Sequence, residues 1–218
     1  MTHASPEMQA YYAARATYYD AVYLKPERQD DIAFLKEHLP DRLAGRHVLE
    51  VACGTGYWTQ HIAPRAAAMV ATDGTAQPLD FARQRPGVGN VTFRQVDAYG
   101  LGDDLGTFDA AFAGLWFSHV PVQARTAFLQ GLHARLAPGA RVLFIDNNEV
   151  QCRDFPITET DEAGNTYQHR QLRDGSIHRV LKNFPSEQAL HELLAPFTCR
   201  LHWRNLQNFW LLEYELAA

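Results

Sequence analysis

The sequence predicts an α/β fold, a mostly parallel sheet with helices on both faces. Three observations carry that expectation. Short apolar runs of strand length alternate with longer stretches of helical spacing. The run Val48-Leu49-Glu50-Val51 leads into a glycine turn, Cys53-Gly54-Thr55-Gly56, and then into the start of a helix, which is how a parallel crossover unit begins. Acidic residues recur where such runs end, at Glu50, Asp73 and Asp97. With 218 residues, the chain suits one domain with a full core, expected over residues 1–218.

Composition narrows the function. The chain is 46% hydrophobic and 21% charged, with a net charge of −5. Those are ordinary globular values, and the acidic balance gives no support for a nucleic-acid partner. No apolar stretch is long enough to span a bilayer, and Met1 to Ala10 lacks a basic-then-apolar leader pattern. The three cysteines, Cys53, Cys152 and Cys199, are widely spaced. They form neither a disulfide framework nor a Cys-x-x-Cys metal site, and a reducing cytoplasm suits them.

In chain order, Ser5-Pro6 opens a helix expected to run to about Leu24, with Tyr12, Ala16, Tyr19 and Tyr23 on one face and Arg15 between the rings. Hydroxylated rings beside an arginine are an odd choice for a dry core, because each needs a polar partner. A second helix carries Ile32, Leu35 and Leu39 and is expected to stop before Pro40. The helix after Gly56 ends near Pro64. Met69 to Thr72 is the next strand, with Asp73 at its end. A helix with Leu79, Phe81 and Ala82 is broken by Pro86-Gly87. Val91 to Val96 alternates as a strand ending at Asp97-Ala98. Phe108 to Phe117 reads as the fourth strand, followed by Ser118-His119. Val122 to Leu136 reads as an amphipathic helix, and Arg141 to Ile145 as the fifth strand, closed by Asp146-Asn147. Residues 149–183 look like an insertion. Within it, residues 167–172 and 176–182 flank the turn Arg173-Asp174-Gly175 as a hairpin. Ser186 caps a helix with Leu190 and Leu194, and Cys199 to Trp203 and Phe209 to Leu216 are the last two strands. Seven strands result for the main sheet.

The glycine turn holds the chemistry. Gly54 and Gly56 let a backbone turn sharply and a ligand approach. A dinucleotide loop wants a third glycine where Thr59 stands, and Glu50 at the mouth would repel a pyrophosphate while suiting an ammonium or sulfonium. The pattern Glu50-x-x-Cys53-Gly54-Thr55-Gly56, with Asp73 and Asp97 at the next two strand ends, resembles class I S-adenosylmethionine-dependent methyltransferases of the small-molecule type. The resemblance covers roughly residues 10–146 and the final strands in outline. It implies a Rossmann-like seven-stranded sheet with an antiparallel last strand. It also implies S-adenosylmethionine as cofactor, held by Tyr19, Glu50, Ala52, Cys53, Gly54, Gly56, Trp58, Asp73, Gly74, Asp97 and Ala98. Asp73 would accept from the ribose hydroxyls and Asp97 would meet the adenine edge. Cys53 reads as a small buried filler, not a nucleophile. Ala140, where the family usually has a second glycine, is a mild departure.

The acceptor side is less determined. The segment Tyr11 to Asp20 resembles the family's N-terminal cover over the cofactor. That helix and the inserted hairpin are expected to wall an acceptor pocket lined by Tyr12, Arg15, Trp116, Asp146, Asn147 and Arg170. His119 is the candidate general base, ahead of His169 and His178. Asp146-Asn147 matches half of a catechol-type magnesium set; Leu115-Trp116-Phe117 replaces the other half, so no metal is expected. No Asn-Pro-Pro-Tyr stretch is present. The expected activity is methyl transfer to an oxygen or nitrogen of a small-molecule acceptor, by a monomer or homodimer that engages neither nucleic acid nor membrane. A non-catalytic cofactor-binding protein and another reaction on the same cofactor are the alternatives; formation of S-adenosylhomocysteine with an acceptor separates them.

Overall fold

The computed structural model describes residues 6–198 and 200–217; the expected Ser5 cap and Cys199 lie outside them. Seven strands form one sheet. In chain order they are β1 (His47–Val51), β2 (Ala68–Asp73), β3 (Val91–Gln95), β4 (Phe108–Gly114), β5 (Leu136–Asn147), β9 (Leu201–Asn205) and β10 (Phe209–Glu215). Their spatial order is β3-β2-β1-β4-β5-β10-β9. The first five pair in parallel, and β10 runs antiparallel to both β5 and β9. A central parallel strand is buried on both sides, which is why β1 reads Val48-Leu49-Glu50-Val51 and its four last residues are all buried.

Helices cover both faces. On one, Ile32, Leu35 and Leu39 of α2 (Gln29–Arg42) and Ile62 of α3 (Thr59–Ile62) pack on Val48, Phe112, Leu143 and Leu211. On the other, Phe128, Leu129 and Leu132 of α5 (Arg125–His133) and Leu190 and Leu194 of α6 (Glu187–Leu194) pack on Leu49, Ala111, Val142 and Leu212. Ser186 caps α6, its hydroxyl accepting from the Ala189 amide. The short α4 (Ala76–Ala82) follows β2.

Four expected boundaries are corrected. The N-terminal segment is not one α-helix: α1 (Pro6–Arg15) passes into a tight helical segment, Ala16–Tyr23, across a kink at Tyr18 with φ −133° and ψ 16°. The kink splits the tyrosines between two clusters. Tyr11, Tyr12 and Tyr18 pack toward Leu172 and Val180, while Tyr19 and Tyr23 pack toward the sheet. Pro40 lies inside α2 rather than beyond it; near the C-terminal end, a missing N–H costs only one intrahelical bond. β4 stops at Gly114, because Leu115 takes the left-handed conformation with φ 58°. Leu136 belongs to β5, opposite Phe108 and ahead of an irregularity in the ladder, not to the preceding helix.

The expected insertion forms its own three-stranded antiparallel sheet of β6 (Glu159–Thr160), β7 (Thr166–Gln171) and β8 (Ile177–Leu181). Gly175 turns the β7–β8 hairpin with φ 89°, and Asp174 accepts from the Ser176 amide. α1 lies on this hairpin: Tyr11 packs on Leu172 and Val180, and Glu7 accepts from the Arg179 amide. Among the described residues no helix is long and apolar enough to cross a membrane.

Candidate active site

The parallel strands β1, β2 and β4 deliver their C-terminal ends to one edge of the sheet, where open α/β sheets bind ligands. A cavity opens there. Tyr19, Glu50, Ala52, Cys53, Gly54, Trp58, Asp73, Gly74, Asp97 and Ala98, all expected to hold the cofactor, line it together. Gly56 does not line it. Its φ is +73°, and an added Cβ would stand 2.9 Å from the Ala82 backbone, so Gly56 lets the loop pack on α4. At Gly54, φ +55°, an added Cβ would meet nothing within 4 Å; here the backbone is bare toward open space. Ala52 and Leu115 both line the cavity with positive φ, 55° and 58°. Such strain in side-chain-bearing residues concentrates where a site needs it.

The three carboxylates are held differently. Glu50 is 2% exposed, and one of its oxygens accepts from Thr59 Oγ1 at 2.6 Å. Burial pushes its pKa up to about 8, against the milder effect of the Thr59 bond. Thr59 thus occupies the third-glycine position of a dinucleotide loop with a hydroxyl that fixes the acid. Asp73 accepts from the Gly54 amide at 3.0 Å and from the Thr75 amide and hydroxyl, both at 2.9 Å. It therefore shapes the glycine loop while lining the cavity, and burial raises its pKa. Asp97 accepts from the Tyr99 amide at 3.0 Å. Burial raises the Cys53 thiol well above its ordinary value, consistent with a filler.

A second cavity adjoins the first, and Tyr12, Tyr19, Leu115 and His119 line both. Of the expected acceptor contacts, Tyr12, Arg15, Asn147 and Arg170 line the second cavity and Trp116 the first. Asp146 lines neither, which corrects its assignment to the pocket floor. It is 0% exposed, and its carboxylate accepts from Lys182 Nζ at 2.7 Å, the Ser118 amide at 2.9 Å and the Asn147 amide at 2.8 Å. Those three donors engage both of its oxygens. The Lys182 cation holds the Asp146 pKa below the usual range despite burial, while burial lowers Lys182 to about 8. Among the described residues no three His, Cys, Asp or Glu side chains converge as a metal set.

Lys182, missed from the sequence, lines the second cavity and also donates to Ser118 Oγ at 2.7 Å. It ties the end of the hairpin to the end of β5 and to the turn carrying His119. Its signal was its phase: Val180 and Lys182 share one face of an extended chain, so a lysine stands at an inward position. Arg28, Gln151 and Phe155 of the same cavity were also missed, because they sit in connecting segments whose placement follows no periodicity.

His119 is buried between the cavities. Its Nδ1 lies 2.5 Å from the Leu181 carbonyl and its Nε2 2.8 Å from the Tyr12 hydroxyl. A carbonyl only accepts, so Nδ1 carries the proton and Nε2 takes the Tyr12 hydroxyl proton as its hydrogen bond. Burial first, then the Lys182 cation, holds the imidazole down to about 3, with Arg170 adding to the effect and Asp146 opposing it. A ring so hard to protonate is a poor proton acceptor, which counts against the expected general-base role.

Sequence and structure comparisons agree on the family. A profile described as "Methyltransferase domain" matches residues 48–139. A ubiquinone biosynthesis O-methyltransferase of Acinetobacter baylyi is 30% identical over 183 residues, covering 78% of this chain and 72% of that protein. This chain belongs to the class I S-adenosylmethionine-dependent methyltransferases. The enzyme of the same name from Azotobacter vinelandii is 34% identical over 116 residues, 52% of this chain; the match spans about half, 48%, of that protein. A structure described as "DhpI-SAM-HEP complex" is 33% identical, covers 98% of this chain and 99% of its own, and superposes with a TM-score of 0.78. The methyltransferase uses S-adenosylmethionine, and the first cavity fits it: a bare glycine backbone, a buried Glu50 and the partly buried Asp73 and Asp97 line a site suited to a ligand that carries an ammonium and a sulfonium.

Proposed function

We propose that the enzyme transfers the methyl group to an oxygen of a small molecule held in the second cavity, across the wall formed by Tyr12, Tyr19, Leu115 and His119. The observation that carries this reading is that shared wall: among the described residues these four alone line both cavities. Bound S-adenosylmethionine supplies an activated methyl group, so the protein's task is alignment and exclusion of water. Glu50 and Asp97 would hold the amino-acid and adenine ends, and Asp73 the ribose. Tyr12, with its hydroxyl oriented by His119, would position the acceptor oxygen rather than take its proton. An oxygen that is already ionised needs no base, and the weak basicity of His119 favours it over a neutral amine or alcohol. The O-methyltransferase names of the Acinetobacter and Azotobacter relatives support oxygen over nitrogen.

α1 and the β7–β8 hairpin, packed on one another over the sheet's edge, serve in this reading as the lid. The widely spaced cysteines support a cytoplasmic setting and the acidic net charge supports the absence of a nucleic-acid partner; a monomer or homodimer is the proposed assembly. The test is incubation with S-adenosylmethionine and a panel of phenols, carboxylic acids, phosphonic acids and amines, reading S-adenosylhomocysteine. Turnover with oxygen acids or phenols is expected. Turnover with amines alone would overturn the oxygen assignment, and tight cofactor binding without any turnover would favour a non-catalytic binding protein.

A further inference from the structure

We propose that the second cavity is an anion site, in which Arg170, Arg28 and Arg15 hold a carboxylate or a phosphate-type group of the acceptor. The proposal rests on the reading of that cavity as the acceptor chamber and adds the charge of what enters it.

Burying a guanidinium is costly unless a partner compensates it. Arg170 and Arg28 are each 4% exposed and line the cavity, and among the described residues neither makes an ion pair with a carboxylate. Arg170 spends its donors on neutral oxygens: Gln168 Oε1 at 2.7 and 3.2 Å, the Tyr12 hydroxyl at 3.4 Å and Gln151 Oε1 at 3.5 Å. Its guanidinium stands 5.0 Å from the Phe155 ring centroid. Arg28 donates once, to the Val22 carbonyl at 3.2 Å, stands 5.4 Å from the Phe209 ring centroid, and buries its Nε with no partner. Among the described residues Arg15 reaches only the Tyr11 hydroxyl, at 3.0 Å, and the Tyr11 and Tyr19 ring faces.

The acids close enough to help are already engaged. Asp146 is paired with Lys182 and Asp154 with Lys25. Among the described residues no carboxylate lines the cavity, whereas five cationic side chains do; Asp154 and Glu27 favour the Arg28 charge only from a distance while engaged with Lys25. Arg170 and Arg28 also act on Lys182, both lowering its affinity for its proton. The cations therefore oppose one another across an open space that one anion would relieve. Arg125, the remaining buried arginine without a carboxylate, stands alone against the Phe117 ring. Ring contacts are common to all four, but Arg125 lines neither cavity, whereas the other three surround one. A guanidinium fork matches the oxygens of a carboxylate or phosphate. Asn147 lines the same cavity and buries its Oδ1 with no donor, so a hydroxyl or amine beside the acid would satisfy it.

The test is calorimetric titration of the full-length protein, saturated with S-adenosylhomocysteine, with inorganic phosphate and with acetate at fixed ionic strength. A parallel titration follows the ring resonances of His119. Saturable 1:1 binding of at least one anion, with a shift of those resonances, is expected; the tighter of the two identifies the acid class. Arg170→Met should weaken that binding by about tenfold or more while the affinity for S-adenosylhomocysteine holds. Should Arg170→Met fail to fold, Arg15→Met, at a half-buried position, decides with a smaller loss. No saturable binding of either anion, or binding that persists undiminished in the folded variants, would overturn the site. Anion binding combined with no methylation of any acid-bearing acceptor would keep the site and overturn the acceptor reading.

Discussion

The two cavities that meet at Tyr12 and His119 carry opposite charge. Glu50, Asp73 and Asp97 line the first; Arg15, Lys25, Arg28, Arg170 and Lys182 line the second. They are also built differently. The first is made of backbone and acids at the ends of β1, β2 and β3, where the parallel sheet brings successive strand ends side by side. The second is assembled from side chains of the N-terminal segment, the end of β5, the connection after it and the hairpin. In each, burial works against the charged form: it raises Glu50 to about 8 and lowers Lys182 to about 8. Each cavity thus holds charge that is unfavourable until a ligand of opposite sign enters. A cationic donor and an anionic acceptor would then be drawn to opposite sides of one wall.

The comparison breaks first at the joint between the cavities. Asp146→Ala leaves Lys182 buried without its counter-charge, and a loss of about 3–5 kcal/mol of stability is expected, read by urea unfolding. Truncation comes next. Tyr23 stacks on Tyr57 at 3.7 Å within the sheet's own cluster, so removing residues 1–24 would damage the core. Removing residues 1–15 instead strips Met8, Gln9 and Tyr12 from the first cavity and should lower turnover about 100-fold while unfolding stays cooperative. Asp73→Ala should weaken S-adenosylhomocysteine by about 1.5–3 kcal/mol, roughly 10- to 100-fold. Because Asp73 also accepts from Gly54 and Thr75, the calorimetry needs a thermal scan beside it.

The smallest effect sharpens the charge contrast. Glu50 has a folded pKa raised from the ordinary carboxylate value of 4.5 to about 8. Its contribution to the stability of the empty protein is therefore complete below 4.5 and is lost as pH rises toward 8. A cationic ligand beside Glu50 reverses that preference, and its binding releases a proton. Affinity for S-adenosylhomocysteine should rise about tenfold from pH 6 to pH 7, and the slope should flatten in Glu50→Gln. A flat profile in the wild-type protein would mean that Glu50 does not face the cofactor's ammonium.

The sheet and the first cavity were legible because both follow from periodicity. Strand-length apolar runs place β1 to β5, and the acids after them fall where a parallel sheet must deliver its ends. Thr59 replacing a third glycine was visible too, though its bond to Glu50 needed coordinates. What was not legible depends on contacts distant in sequence. The kink at Tyr18 follows from which clusters receive the rings, and Pro40 is tolerated because α2 ends within a turn of it. Asp146 is exposed by pattern at a strand end; only the hairpin, folding back to bring Lys182 against it, buries it. The low basicity of His119 could not be read from the sequence for the same reason: burial and the cations of the second cavity are both properties of the assembled fold.

A crystal structure with S-adenosylhomocysteine bound tests most directly whether the wall of Tyr12, Tyr19, Leu115 and His119 is the passage for the methyl group. The sulfur is expected to face that wall, with the ribose at Asp73, the adenine at Asp97 and the ammonium toward Glu50. A sulfur turned away from Tyr12 and His119, or a cofactor lying among Arg15, Arg28 and Arg170, would contradict the division of the two cavities between donor and acceptor.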